Sequence, residues 1–122
     1  GWKLLQMLLP ETHDPRQYGG EDFVLAADVY GDGEKNGMCG WSWYTGSAAW
    51  FRRAILEEML GIHAVPDGLR ITPNLPEALP VCKCRIQLGI HQVQLSICRS
   101  ANRQEHFVKL PEGETDVQAE IK

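Results

Sequence analysis

The chain has 122 residues, 43% of them hydrophobic, and a formal net charge of −4. That length is enough for one small buried core, and the acidic balance, with no basic stripe, excludes a nucleic-acid backbone as partner. The four cysteines, Cys39, Cys82, Cys84 and Cys98, fit neither a paired-knuckle zinc site nor a dense disulfide framework, so the expectation is reduced thiols in a cytoplasmic protein without a bound metal.

The chain opens on Gly1-Trp2-Lys3-Leu4-Leu5-Gln6-Met7-Leu8-Leu9-Pro10. Trp2, Leu5, Leu8 and Leu9 fall on one face of a helix, which Pro10 ends. This run is too short to span a bilayer and lacks the layout of a signal peptide. A helix that needs a partner from its first residue leads to the expectation that the chain is a segment of a longer polypeptide. Residues 10 to 22 read as loop, and so does the polar, glycine-rich stretch from Gly31 to Gly40.

The next run is Gly40-Trp41-Ser42-Trp43-Tyr44-Thr45-Gly46-Ser47-Ala48-Ala49-Trp50. A helix is predicted from Ala48 to Leu60, with Trp50, Phe51, Ala54, Ile55, Met59 and Leu60 on a broad buried face and Gly61 as its stop. Arg52-Arg53 belongs on its exposed side, or pairs with Glu57 one turn later. At its start, Thr45-Gly46-Ser47 reads in two ways. Ser47 is an ordinary N-cap, or the hydroxyl and glycine backbone at a helix start hold a tetrahedral anion. Spacing alone favours the cap. Trp41, Trp43, Tyr44 and Trp50 also read in two ways, as a packed core cluster or as platforms for the C–H faces of a sugar, and pattern alone favours core.

After Ile62 the period changes. Leu69 to Ile71, Val81 to Leu88 and Val93 to Cys98 alternate as half-buried strands, with Gly89 to Gln92 as a hairpin turn, and residues 106–110 and 115–121 add two further strands. Cys82 and Cys84 share one face of their strand, where buried thiols are common. Cys39 stands apart because it lies in the loop before the aromatic run. His13, His63, His91 and His106 have no ligand spacing.

The run Asp22-Phe23-Val24-Leu25-Ala26-Ala27-Asp28-Val29-Tyr30 followed by Gly40 to Trp50 resembles the C-terminal part of the inverting glycoside phosphorylases of glycoside hydrolase family 94. That group includes cellobiose and chitobiose phosphorylases and the phosphorylase-like domains of cyclic β-1,2-glucan synthases. Leu8-Leu9-Pro10-Glu11-Thr12-His13 before it, and Leu60-Gly61-Ile62, Asp67-Gly68-Leu69-Arg70-Ile71-Thr72-Pro73 and Leu75-Pro76 after it, keep the family order, so the resemblance covers about residues 1 to 99.

The resemblance implies an α+β segment. Residues 1–62 would be the end of an (α/α)6 catalytic barrel with a phosphate and sugar loop, and residues 63–122 a small antiparallel β-sandwich-like domain. It implies cleavage of a β-glycosidic bond by inorganic phosphate, with inversion, to give an α-sugar 1-phosphate. Phosphate is itself a nucleophilic anion, so such a site needs one carboxylic acid and an anion cradle rather than two carboxylates. By the resemblance Thr45 and Gly46 contribute to the cradle, while Glu21, Trp41, Trp43 and Tyr44 belong to the substrate wall. The family's general acid lies upstream of this segment, so no catalytic residue is assigned here.

No cofactor is implied beyond inorganic phosphate as co-substrate. The implied partners are a β-linked di- or oligosaccharide and the N-terminal barrel of the same polypeptide, and family analogy suggests a homodimer. Asp22-Phe23 stands where the family has Pro-Tyr after the Glu, and Met38-Cys39 replaces the usual Arg-Gly before the aromatic run. The alternative reading is a non-catalytic carbohydrate-binding module or a structural remnant.

Overall fold

The structure, a computed structural model, describes residues 1–122 and divides into two compact units, Gly1–Arg53 and Ala54–Lys122. In the first unit, helix α1 spans Trp2–Leu8. Its predicted apolar face is the half-buried one, whereas Leu4 and Met7 point to solvent. It stops before Pro10, which instead opens a single 3-10 turn, Pro10–Thr12.

The segment read as loop contains a second, one-turn helix, α2, at Pro15–Tyr18. Its signals are local. The Asp14 side chain accepts from the Arg16 N–H, Pro15 stands at the first helical position, and Gly19 closes the turn in the left-handed conformation. The polar stretch after Tyr30 holds only a 3-10 turn, Gly33–Lys35, flanked by an isolated bridge between Val29 and Cys39. Helix α3 spans Thr45–Arg53 and starts three residues earlier than the spacing predicts.

In the second unit, Ala54–Met59 are wound as π-helix, and the Leu60 N–H reaches back five residues to the Ile55 carbonyl at 2.8 Å. Gly61 ends the helical path at φ 67, where a left-handed conformation suits glycine. The predicted buried face is only partly realised. Leu60 is buried and Ile55 and Met59 pack on the core, but Trp50 is 69% exposed with the Arg53 guanidinium 5.0 Å above its ring. No helix is long and apolar enough to cross a membrane, and three short helices do not amount to a barrel: the (α/α)6 barrel is not in this chain.

The strands form two three-stranded sheets. Strands β1 (Ile62–Val65), β2 (Gly68–Ile71) and β5 (His106–Lys109) lie in the order β1-β2-β5, all antiparallel. Strands β3 (Val81–Leu88), β4 (His91–Cys98) and β6 (Asp116–Ile121) lie in the order β3-β4-β6. The predicted β3–β4 hairpin is present, but its turn is only Gly89-Ile90, with Leu88 opposite His91, so that His91 and Gln92, read as turn, belong to β4. The expectation of a wholly antiparallel domain is corrected at β6, which runs parallel to β4, with Val93 opposite Val117 and Ile97 opposite Ile121. The return strand between them, β5, is spent in the other sheet, so β6 re-enters beside β4 in the same direction.

Both sheets and the residues after the π-helix bury one core. It is made of Leu60, Ile62, Leu69, Ile71, Leu75, Val93, Leu95, Ile97, Val108 and Ile121. Alternation along β4 places Val93, Leu95 and Ile97 inward, and the same period on β3 turns Cys82 and Cys84 inward as half-buried thiols. Burial pushes the Cys84 thiol pKa up, with Cys82 adding to the effect. The four cysteines are unbridged.

Candidate functional site

The sequence-predicted site lies wholly in the first unit and is built on a short two-strand scaffold. Backbone bonds join Ala27 N–H to Trp41 O at 2.7 Å, Gly40 N–H to Asp28 O at 2.9 Å and Tyr30 N–H to Met38 O at 2.9 Å. This pairing brings residues 27–30 alongside 38–41 and fixes the loop that carries the aromatic run. Glycine at position 40 leaves room for the Asp28 carboxylate, which a Cβ there would push aside. The exposed Asp28 carboxylate thus lies over Gly40 and does not line the hollow described below.

Tyr18 anchors the scaffold from below. It is 3% exposed, its carbonyl accepts from the Cys39 N–H at 2.9 Å, and its ring stacks on His13 at 5.4 Å. Its hydroxyl makes no well-formed hydrogen bond, the Ala26 backbone acting on it only weakly. Burial, then the neighbouring Cys39, pushes the Tyr18 pKa up, against a smaller opposing influence of the Ala26 backbone. Cys39 is half-buried, and a Cβ on Gly20 would collide with its Sγ. The thiol singled out by its place in the loop therefore packs under Gly20 and does not line the hollow described below.

Beyond Trp41 the chain turns sharply. Trp43 adopts φ 61, the only non-glycine residue in the left-handed region, at a cost of roughly 1–2 kcal/mol for a side chain of this kind. The turn sends the indole back across Glu21, whose Oε1 accepts from Trp43 Nε1 at 3.1 Å. Phe23 meets the same indole edge-on, with centroids 6.0 Å apart and planes at 77°. The Glu21 carboxyl is held below its ordinary pKa by its own backbone N–H first, then by the Trp43 indole and the Ser42 hydroxyl.

Tyr44 supplies the carbonyl that opens α3, accepting from the Ser47 N–H at 3.0 Å and the Ala48 N–H at 3.4 Å. Ser47 is therefore the third helical residue and not the N-cap. Its hydroxyl donates instead to the Ala26 carbonyl at 2.9 Å, tying the helix start to the scaffold. Thr45 and Gly46 are exposed in the first turn, where a helix has no intrahelical partners for its N–H groups.

A shallow hollow of about 190 Å³ lies against this turn, lined by Phe23, Val24, Leu25, Trp43, Tyr44, Thr45 and Ala48. The core reading favoured by pattern alone does not hold for the aromatics, because Trp41 is 78%, Trp43 65% and Tyr44 59% exposed. The rigid backbone pairing and the left-handed turn at Trp43 present these rings outward. The structure brings Trp43, Tyr44 and Thr45 to the hollow, with Gly46 next in the helix, while Glu21 does not line it and is joined to it through its hydrogen bond with Trp43. It leaves Trp41 outside the hollow, exposed at the end of the scaffold. The wall also includes Phe23, Val24, Leu25 and Ala48, which residue chemistry alone did not single out, although Phe23 to Leu25 sit in the family-like run.

No protein-family model matches the chain. Over 114 residues it is 37% identical to the cyclic beta-(1,2)-glucan synthase NdvB of Rhizobium meliloti (strain 1021), a match that takes in 89% of this chain and 4% of that protein. Over 106 residues it is 29% identical to the solabiose phosphorylase of Paenibacillus borealis, covering 84% of this chain and 14% of that protein. The chain thus spans a small fraction of the length of these curated relatives. It is related in sequence to proteins named for glycosyl transfer and sugar phosphorolysis.

Proposed function

We propose that this chain is the C-terminal segment of an inverting glycoside phosphorylase of the glycoside hydrolase family 94 type. Inorganic phosphate attacks the anomeric carbon of a β-linked sugar, the glycosidic bond breaks, and the products are an α-sugar 1-phosphate and the released sugar. Thr45 and Gly46 serve the phosphate, through the Thr hydroxyl and the free N–H groups of the first helical turn. Trp43 and Tyr44 offer aromatic surface to the sugar, with Glu21 beside them and Trp41 further out along the wall. The general acid that protonates the leaving oxygen comes from the barrel of the same polypeptide, and phosphate is the sole co-substrate, with no cofactor. The same reading makes the enzyme cytoplasmic, and a homodimer by analogy.

The observation that carries this reading is the hollow in which exposed aromatic rings and the Thr45 end of α3 share one wall. It is tested by incubating the complete polypeptide that contains this segment with sophorose, laminaribiose and cellobiose, each with and without inorganic phosphate. Sugar 1-phosphate released only when phosphate is present supports it, and cleavage that ignores phosphate overturns it.

A second reading, a non-catalytic carbohydrate-binding module, is favoured by one feature: every residue of the hollow belongs to the first unit of this chain. It requires the 122-residue chain alone to bind oligosaccharide without phosphate, which calorimetry reads directly. No affinity at millimolar sugar would overturn it.

A further inference from the structure

We propose that Trp43 is a positioning residue, whose indole N–H, turned back by its left-handed backbone, holds the Glu21 carboxylate beside the hollow to receive a sugar hydroxyl. This rests on the sugar-site reading above and goes beyond it, because that reading uses Trp43 only as aromatic wall.

Several observations converge on it. An indole has a single N–H and no acceptor, and here that N–H is committed to Glu21 Oε1 at 3.1 Å, 22 residues away in sequence. A ligand therefore meets the face of Trp43 and not its donor. The commitment depends on φ 61, a conformation that no other non-glycine residue of the chain adopts. Strain of this kind persists only where surrounding structure over-determines it, and it clusters at binding and active sites. The surroundings here are the edge-on Phe23 ring on one side and the start of α3, which follows two residues later, on the other.

The carboxylate inventory points the same way. An ionised carboxylate offers about four acceptor positions, and the side-chain hydrogen bond that Glu21 accepts is the Trp43 indole's, while its own N–H and the Ser42 hydroxyl help to hold its pKa down. Acceptor positions remain open on a carboxylate that the indole orients. An oriented anion with open acceptor positions suits a neutral sugar hydroxyl and repels phosphate, which separates a sugar side at Glu21 from the Thr45 side of the hollow.

The test has two arms, both on the complete polypeptide. In the first, the indole N–H resonances are followed by NMR as pH falls through the carboxylate range, with Trp43→Phe identifying the Trp43 signal. The Trp43 resonance should move with a midpoint below the ordinary glutamate value in the wild type and stay flat in Glu21→Gln. A Trp43 signal that ignores Glu21 overturns the inference.

In the second arm, the disaccharide turned over fastest in the phosphorolysis panel is used for pH–rate profiles of Trp43→Phe and Trp43→Gly. The glycine variant removes the donor while relieving the left-handed strain, so the pair guards against misfolding. Both should move the acid limb of kcat/KM to higher pH and raise the sugar KM by about 3- to 10-fold, the scale of one hydrogen bond to a charged group that is partly open to solvent. The phosphate KM should stay near the wild-type value. An unmoved acid limb in an active wild-type background overturns this inference alone, whereas a wild type inactive with phosphate and every sugar of the panel overturns the phosphorolysis reading on which it rests.

Discussion

The Ser47 hydroxyl donates to the Ala26 carbonyl oxygen at 2.9 Å, joining the first turn of α3 to a residue 21 positions earlier. Ala26 is 1% exposed, so without Ser47 its carbonyl loses a partner in a place that water reaches poorly. Ser47→Ala should therefore destabilise the first unit by about 1–2 kcal/mol, combining a lost hydrogen bond with an unsatisfied buried acceptor. Hydrogen exchange should accelerate at residues 26–30 and 45–48, and unchanged exchange there would show that the tie is dispensable.

Thr45 behaves differently, because its side chain is exposed and makes no hydrogen bond within the chain. On the proposed function, Thr45→Val in the complete polypeptide leaves the fold intact and removes about 1–3 kcal/mol of phosphate binding, the scale of a hydrogen bond to a charged ligand. Initial-rate kinetics should show a raised phosphate KM with circular dichroism unchanged. A phosphate KM equal to that of the wild type would remove Thr45 from the cradle.

Gly61 carries the transition from the π-helix to β1. Its φ of 67 disfavours any side chain, and a Cβ there would collide with the backbone carbonyl of Thr72, a group held in place because its own N–H donates to Gly61 O at 2.9 Å. This neighbour is backbone and not a flexible side-chain tip that can move aside. Gly61→Ala should cost about 2–4 kcal/mol in the second unit, measured as a lower urea midpoint. Stability within error of the wild type would mean that the β1–β2 edge adjusts at little cost.

Tyr18 makes the pH dependence of the first unit predictable in sign. Its folded-state pKa is raised above the ordinary value of 10.0, chiefly by burial. The stability it contributes is complete below pH 10.0, where both states are protonated, and is lost as pH rises through the raised folded value. Tyr18→Phe should abolish that part of the alkaline decline. At neutral pH it should cost less than about 1 kcal/mol, because the deleted hydroxyl makes no well-formed hydrogen bond and gives up only a weaker interaction with the Ala26 backbone. Thermal melts at neutral and alkaline pH check both statements, and an alkaline decline of equal size in the variant would assign it to other groups.

Much of the secondary structure was legible in the sequence because it is encoded by short-range repetition. The apolar spacing of Trp2, Leu5 and Leu8 marks α1, and Pro10 marks its end. The alternation of Val81 to Leu88 and Val93 to Cys98 marks the β3–β4 hairpin, and Gly61 marks the stop after the helical run. The one-turn helix α2 and the short strand β1 were not read, because four residues carry little periodicity and Ile62-His63-Ala64-Val65 lacks the charged residue between two large apolar ones that marks Leu69-Arg70-Ile71. For α2 the Asp14-Pro15 and Gly19 cap residues were the available signal.

Three features were settled only in three dimensions. Sheet membership was one: alternation tells which side chains of β6 face inward, but not that it lies parallel to β4 after a return strand in the other sheet. Exposure was another, since Trp41, Trp43 and Tyr44 have the composition of a core and are turned to solvent by paired backbone on one side and a left-handed residue on the other. The third was partnership, for Ser47 and Trp43 reach Ala26 and Glu21 across more than twenty residues of chain. The sequence by itself determined the residue chemistry of the aromatic, hydroxyl and glycine run and the positions of its longer elements, because propensity and period act between neighbours. The tertiary structure decided which of those groups face a common hollow, because hydrogen-bond pairing and burial are made between residues distant in the chain.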